Sequence, residues 1–196
     1  MKVAIIKYNA GNIYSVDHAL KRLGINAVIT ADHQQLLSAD KVIFPGVGEA
    51  ASTMHYLKQT GLDNVIRSLR QPVLGICLGM QLLCTHSEEG DVNGLGIFDV
   101  NIKRFQPQDR HDKVPHMGWN TLKETRGKLF ERFGHEEFVY FVHSYYAPIC
   151  MHTIAQTDYI LPFSAALQKE NFYATQFHPE KSGSIGERIL QNFLNI

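Results

Sequence analysis

The sequence predicts an α/β protein of three layers, with a mainly parallel central sheet, helices on both of its faces and additional antiparallel strands. Three observations carry this expectation. Up to Ile76, short apolar runs alternate with amphipathic helical segments in βαβα order, which argues for a parallel sheet covered on both sides. The runs at 2–6, Lys41–Phe44 and 72–76 are almost unbroken in apolar character, as strands buried on both faces are. The second half is richer in strands and closes with a helix, so further strands, several of them antiparallel, must join the assembly.

Taken in order, residues 2–6 form the first strand and residues 13–23 a helix with Val16, Ala19, Leu20 and Leu23 on one face, ended by Gly24. Residues 27–30 and Lys41–Phe44 are the second and third strands, with a short helical piece at 34–37. Helical segments at 54–57 and 62–69 lead to the fourth strand, which ends at Ile76. A helix follows from Cys77 and carries Cys84 seven residues on. Strands are expected at 94–104, 114–116, 138–142, 153–157, 165–169 and 172–176. Residues 106–112 hold no apolar side chain and read as a loop. The last helix, 185–194, buries Ile185, Ile189, Leu190 and Phe193.

A chain of 196 residues can build one substantial core, and a single domain over 1–196 is expected. Its 44% hydrophobic and 19% charged residues are ordinary for a globular protein. Lys and Arg number 19, Asp and Glu 19, so no net charge draws the chain toward nucleic acid or an anionic membrane. The first residues are too short an apolar run for a signal peptide, and no run approaches the ~20 residues of a membrane span. A cytoplasmic location is expected. Cys77 and Cys84, spaced along one helix, are too far apart to bridge, and Cys84 and Cys150 read as buried, inert thiols. Cys84 and His86 lack further ligands at the spacing a zinc site needs.

The segment Gly75-Ile-Cys-Leu-Gly-Met-Gln81 carries the chemistry. It places Cys77 at a sharp turn from strand to helix, where unpaired N–H groups and the helix dipole favour a thiolate. Gly75 and Gly79 let substrate and other backbone come close. This is a nucleophile elbow built around sulfur. A base is needed, and Ala174-Thr-Gln-Phe-His-Pro-Glu180 offers His178 about 100 residues downstream. Pro179 holds His178 extended, so that Glu180, two residues on, faces the same side and orients the imidazole. In open parallel sheets sites form beyond the carboxyl ends of strands, which is where Pro45–Gly48 and Cys77 both fall. Gly46 and Gly48 free the dihedrals around Val47, whose N–H together with that of Leu78 can hold an oxyanion. The alternative for this segment is an ordinary turn. Gln81, one helical turn after Cys77, either contacts substrate or ties down a loop. His143, Ser144 and Tyr145 follow an apolar strand and can present polar groups to the same pocket, although His143 alone reads as a core histidine.

These residues closely resemble the triad-type (class I) glutamine amidotransferases, whose elbow reads G-x-C-x-G-x-Q and whose base segment reads F-H-P-E. Pro45-Gly-Val-Gly48, Val114-Pro-His-Met-Gly-Trp-Asn120, Tyr140-Phe-Val-His-Ser-Tyr-Tyr146 and Gln176-Phe-His-Pro-Glu-Lys-Ser-Gly183 are similar to the imidazole glycerol phosphate synthase branch of that family. The likeness runs from Gly11-Asn12 to the last helix. One departure is Lys7-Tyr-Asn9, where many relatives carry an acidic residue, and no catalytic role attaches to it. The resemblance implies hydrolysis of L-glutamine by Cys77, His178 and Glu180, with Val47 and Leu78 as oxyanion donors. Gly46, Gly48, Gln81, His143, Ser144 and Tyr145 would line the substrate pocket. It further implies a (β/α)8-barrel cyclase partner, met by Asn12, Trp119, Asn120 and Lys181, and ammonia passed to that partner. No metal or organic cofactor has a role in the scheme. A different class I glutaminase, a cysteine peptidase or a catalytically silent domain on the same fold are the rival readings. Comparing glutamine with peptide substrates and labelling with a glutamine-like electrophile separate them.

Overall fold

The computed structural model describes residues 1–8, 12–134 and 136–196; Asn9 and Gly11 lie outside the described residues. The first half runs β1 (Val3–Ile6), α1 (Ile13–Arg22), β2 (Val28–Thr30), α2 (His33–Leu37), β3 (Lys41–Phe44), α3 (Ala50–Thr60), α4 (Leu62–Ser68), β4 (Val73–Ile76) and α5 (Leu78–Leu83). The second half runs β5 (Cys84–Ser87), β6 (Val92–Asn93), β7 (Phe98–Arg104), β8 (His116–Thr121), β9 (Phe138–His143), β10 (Tyr145–Tyr146), β11 (Thr153–Asp158), β12 (Pro162–Lys169), β13 (Phe172–Thr175) and α6 (Gly183–Asn195). Short 3-10 turns at Lys128–Phe130 and Pro179–Lys181 complete the described elements.

The central sheet has seven strands in the order β11-β12-β13-β4-β3-β1-β2. The five from β13 to β2 are mutually parallel, and β12 and β11 extend them antiparallel. Alternation along each central strand sorts its side chains between two cores. Val3, Ile5, Ile43, Leu74 and Tyr173 pack beneath α1 and α6. Ala4, Ile6, Val42, Phe44 and Val73 face α2, α3, α4 and α5. Every residue of β1, β3, β4 and β13 is buried, which is why these runs show no polar alternation in the sequence. The expected three layers are present. Two smaller sheets stand beside them, β10-β7-β5-β6 and the antiparallel ribbon β8-β9.

Several boundaries differ from the sequence expectation for identifiable reasons. The helix after Cys77 stops at Leu83, and Cys84 opens β5. The amides of Leu95, Ile97 and Gly96 take the carbonyls of Leu82, Leu83 and Cys84 at 2.7–3.0 Å, so groups that a longer helix would need are already bonded. The same contacts delay the following strand to Phe98. The strand expected at 114–116 runs instead over His116–Thr121, because it pairs residue for residue with Phe138–His143. The helix expected at 54–57 begins at Ala50, where the Glu49 carboxylate accepts from the amides of Ala51 and Ser52. Cys84 is buried, and burial raises its thiol well above the ordinary range, whereas Cys150 is only half-buried.

Gly79 sits where α5 crosses the end of β3, and a methyl group there would overlap the Phe44 carbonyl. That close approach backs the Cys77 turn against the sheet. Gly79→Ala should therefore destabilise the fold by about 1–3 kcal/mol, the usual cost of overpacking. Urea denaturation with both midpoint and slope checks it; an unchanged midpoint would show that the elbow has room to spare.

Candidate active site

Three turns converge because their strands are neighbours. In the sheet β4 lies between β13 and β3, so the segments that follow them emerge side by side. They are Pro45–Gly48 after β3, Cys77 after β4, and Gln176–Glu180 after β13. Cys77 has φ 53° and ψ −108°, a strained backbone for a residue with a side chain. Its amide is held by the Thr175 carbonyl at 2.7 Å. The sulfur is almost enclosed, 3.8 Å from both the Val142 carbonyl and the Gln176 side-chain amide.

His178 is fully buried, and its Nδ1 lies 2.7 Å from Glu180 Oε1. The pair meets across a 3-10 turn, Pro179–Lys181, and not along an extended segment. Lys181 N–H donates to the His178 carbonyl and Ser182 N–H to that of Pro179, which curls the chain and brings the carboxylate back to the ring. Burial works against a charged imidazole here. The neighbouring Cys77 sulfur and the Glu180 carboxylate work for it and prevail, raising His178 to about 10. No formed hydrogen bond joins sulfur and ring; among the described residues, His178 Nε2 is a buried nitrogen without a partner. The thiol-side nitrogen is thus left available, a loose arrangement common before substrate arrives.

A cavity of about 310 Å³ opens over Cys77. Val47, Gly48, Leu78, Gln81, His143, Ser144 and Tyr145 line it. Gly46 lies behind the wall, where a methyl would meet the Tyr8 hydroxyl and Leu78; its lack of a side chain serves packing, while Gly48 adopts φ 128°. The Leu78 N–H donates to the Gly46 carbonyl at 3.3 Å. A trans peptide points its carbonyl and amide in opposite directions, so the Val47 N–H on that unit is directed away from Leu78. The two expected oxyanion donors do not converge until the Gly46–Val47 peptide turns. Gln81 is internally bonded, donating to the Tyr145 carbonyl at 3.1 Å and to Gln176 Oε1 at 3.0 Å, so its amide ties down the wall that it lines.

The residues expected at a partner surface divide. Lys181 is exposed and Trp119 is 56% exposed. Asn120 is half-buried and uses its amide internally, on the Asp158 carbonyl at 2.9 Å. Asn12 turns toward the His178–Glu180 pair, donating to Glu180 Oε1 at 2.5 Å from a backbone at φ 70°. Glu89 was not anticipated. It lies between β5 and β6, lines the cavity, and is held above the usual carboxyl range by burial, with one oxygen accepting from Ala50 N–H at 3.0 Å. It is the one carboxylate lining the cavity among the described residues, and only the fold of the 88–97 segment brings it there. The described residues hold no cluster of metal-ligating side chains.

A model of the family "Glutamine amidotransferase class-I" matches residues 4–196. Imidazole glycerol phosphate synthase subunit HisH of Bacteroides thetaiotaomicron is 71% identical over 196 residues, all of both chains. The protein of that name from Yersinia pestis is 46% identical over 198 residues, again covering both chains in full. A solved glutamine amidotransferase superposes with a TM-score of 0.76 at 20% identity, covering 100% of this chain and 98% of that one. Another, from Thermotoga maritima, gives 0.63 at 16%, over 100% and 83%. The chain belongs to the class I glutamine amidotransferases.

Two substitutions separate the roles of the buried pair. His178→Ala should lower glutamine turnover by about 10²–10⁴-fold, the usual loss with a general acid–base group. Glu180→Gln should cost less, because an amide still orients the ring but does not stabilise its cation. Equal and complete losses in steady-state glutamate release would argue against separate roles. If the Glu89 carboxylate receives the substrate's ammonium group, Glu89→Gln should raise KM for glutamine by about tenfold with little change in kcat.

Proposed function

We infer that this chain is the glutaminase subunit of an imidazole glycerol phosphate synthase. It hydrolyses L-glutamine to glutamate and ammonia and serves histidine biosynthesis. The observation that carries the mechanism is the placement of Cys77, in its strained turn over a cavity, beside the buried His178–Glu180 pair. Cys77 Sγ gives up its proton to His178 and attacks the side-chain amide carbon of glutamine, and the carbonyl oxygen takes the negative charge, to be held by the N–H groups of Val47 and Leu78 once the Gly46–Val47 peptide has turned. The C–N bond breaks as His178 gives its proton to the departing ammonia. Water then loses a proton to His178 and attacks the thioester; the C–S bond breaks, glutamate leaves, and His178 returns the proton to the Cys77 sulfur. Glu180 holds the ring throughout, with Asn12 on the same oxygen. Glu89 receives the α-ammonium group of the substrate.

The 196 residues act as one domain and, in the cytoplasm, pair with a (β/α)8-barrel cyclase that consumes the ammonia. The outer face of the β8-β9 ribbon supports such a partner. Met117 and Trp119 on one strand and Phe138 on the other are 53–63% exposed and share that face, each two register pairs from the next. Exposed aromatics so grouped suit an interface anchor. The chain has no Gly-rich phosphate loop, which agrees with a nucleotide substrate bound by the partner. Free ammonia is wasted, and a blocked Leu78 N–H offers a means of waiting for the partner's ligand, provided that ligand distinguishes the two peptide orientations energetically.

Cys77→Ala should abolish glutaminase activity with the fold intact; equal inactivity of a folded Cys84→Ala would overturn the assignment. Glutamate release should be slow for the isolated chain and about a hundredfold or more faster for the complex with the cyclase's nucleotide ligand, the size of effect that one oxyanion donor has. Similar kcat in the two would remove the control mechanism and leave the nucleophile untouched.

A further inference from the structure

Two buried histidines that no step of the reaction uses face each other on the inner side of the β8-β9 ribbon. His116 and His143 are a register pair, 4% and 6% exposed. His143 Nδ1 lies 2.7 Å from the Tyr145 carbonyl, and its Nε2 lies 3.0 Å from His116 Nδ1. His116 Nε2 in turn lies 3.3 Å from the side-chain nitrogen of Asn120. Asn120 is four residues along the same strand face, and Gly118 between them has no side chain to block the contact. The His116 ring stacks on Tyr159, with centroids 4.0 Å apart, and on Phe141 at 4.9 Å.

The direction of every proton follows from the last acceptor. A carbonyl only accepts, so His143 carries its hydrogen on Nδ1. A neutral imidazole has one N–H, so His143 Nε2 accepts, and the hydrogen between the rings belongs to His116 Nδ1. His116 Nε2 is then an acceptor, filled by the Asn120 amide. Both rings are neutral: burial depresses His116 to about 4 and His143 to about 3. The Tyr145 carbonyl at the end of the chain also accepts from Gln81, one turn after Cys77.

We propose that Asn120, His116 and His143 form a one-directional relay of neutral donors that fixes the Tyr145 carbonyl, and so positions the Ser144–Tyr145 wall of the glutamine cavity. His116 is a positioning residue; it does not line the cavity and acts through His143. The proposal rests on the glutaminase reading of that cavity. Two donors from different elements, Gln81 on α5 and His143 on β9, meet on one carbonyl and lock the wall to the helix that follows the nucleophile. Losing the His143 bond frees that peptide to turn.

The test sets packing against the proton. His116→Phe keeps the stacked ring and deletes the donor, while His116→Asn keeps a donor near the Nδ1 position and loses the stack. Steady-state glutamate release by the chain with its synthase subunit should show KM for glutamine raised about tenfold in the Phe variant, with kcat within about twofold, and a KM nearer wild type in the Asn variant. Imidazole ¹⁵N spectra of the wild-type chain, assigned by signal loss in His116→Phe and His143→Gln, should show both rings as the neutral Nδ1–H tautomer. A wild-type KM in the Phe variant, an Asn variant worse than Phe, or either ring in the Nε2–H or charged form would overturn the relay. A wild type without glutamine hydrolysis would overturn the glutaminase reading and the relay's purpose with it, while the spectra would still report whether the chain of bonds exists.

Discussion

The parallel ladder of β4 and β13 does not stop with its strands. It continues one rung further, in the bond from the Cys77 amide to the Thr175 carbonyl. That rung is made while Cys77 occupies a positive φ, so the ladder's cooperativity offsets the strain of the turn, a cost of about 1–3 kcal/mol. It also joins two turns that are about 100 residues apart in the chain, one bearing a thiol and the other an imidazole. Gly79 against the Phe44 carbonyl fixes the same turn from the side of β3. With three neighbouring strand ends so tied, the cavity, the His178–Glu180 pair and the Pro45–Gly48 segment have little freedom to be elsewhere.

Three histidines in this small volume have opposite electrostatic fates. His178, beside a sulfur and a carboxylate, is raised to about 10 despite complete burial. His143 and His116 have no carboxylate, and desolvation drives them down to about 3 and 4. A second imidazolium near His178 would oppose its charge, so neutrality of the pair also favours protonated His178. Environment, not residue type, separates these three titrations, as in other sites where similar groups are driven apart in pKa.

Backbone groups carry as much of the chemistry as side chains do. In the proposed mechanism the nucleophile is aimed by a backbone torsion, the pocket wall is held through a carbonyl, and the oxyanion donors are amides. On that proposal, the bond from Leu78 N–H to the Gly46 carbonyl leaves the site one peptide rotation away from holding an oxyanion. Such a rotation makes and breaks only a few hydrogen bonds, so contact with a partner can supply the difference.

The sequence by itself determined the layered fold, because strands buried on both faces leave unbroken apolar runs and helices leave a periodic stripe. It also singled out Cys77 and the His178–Glu180 segment as candidates, since a nucleophile elbow needs glycines at set spacings and a base needs its orienting carboxylate near. It did not determine where α5 ends, because the 94–97 segment that takes its last carbonyls arrives from outside the helix. Nor did it reveal Glu89 in the cavity, the Asn12 amide on Glu180, or the occupied Leu78 N–H. Each of these is a contact between segments distant in the chain, and local propensity carries no record of such distances. Tertiary structure alone decided them, since a polar group's role depends on which partner the packed sheet brings within 3 Å.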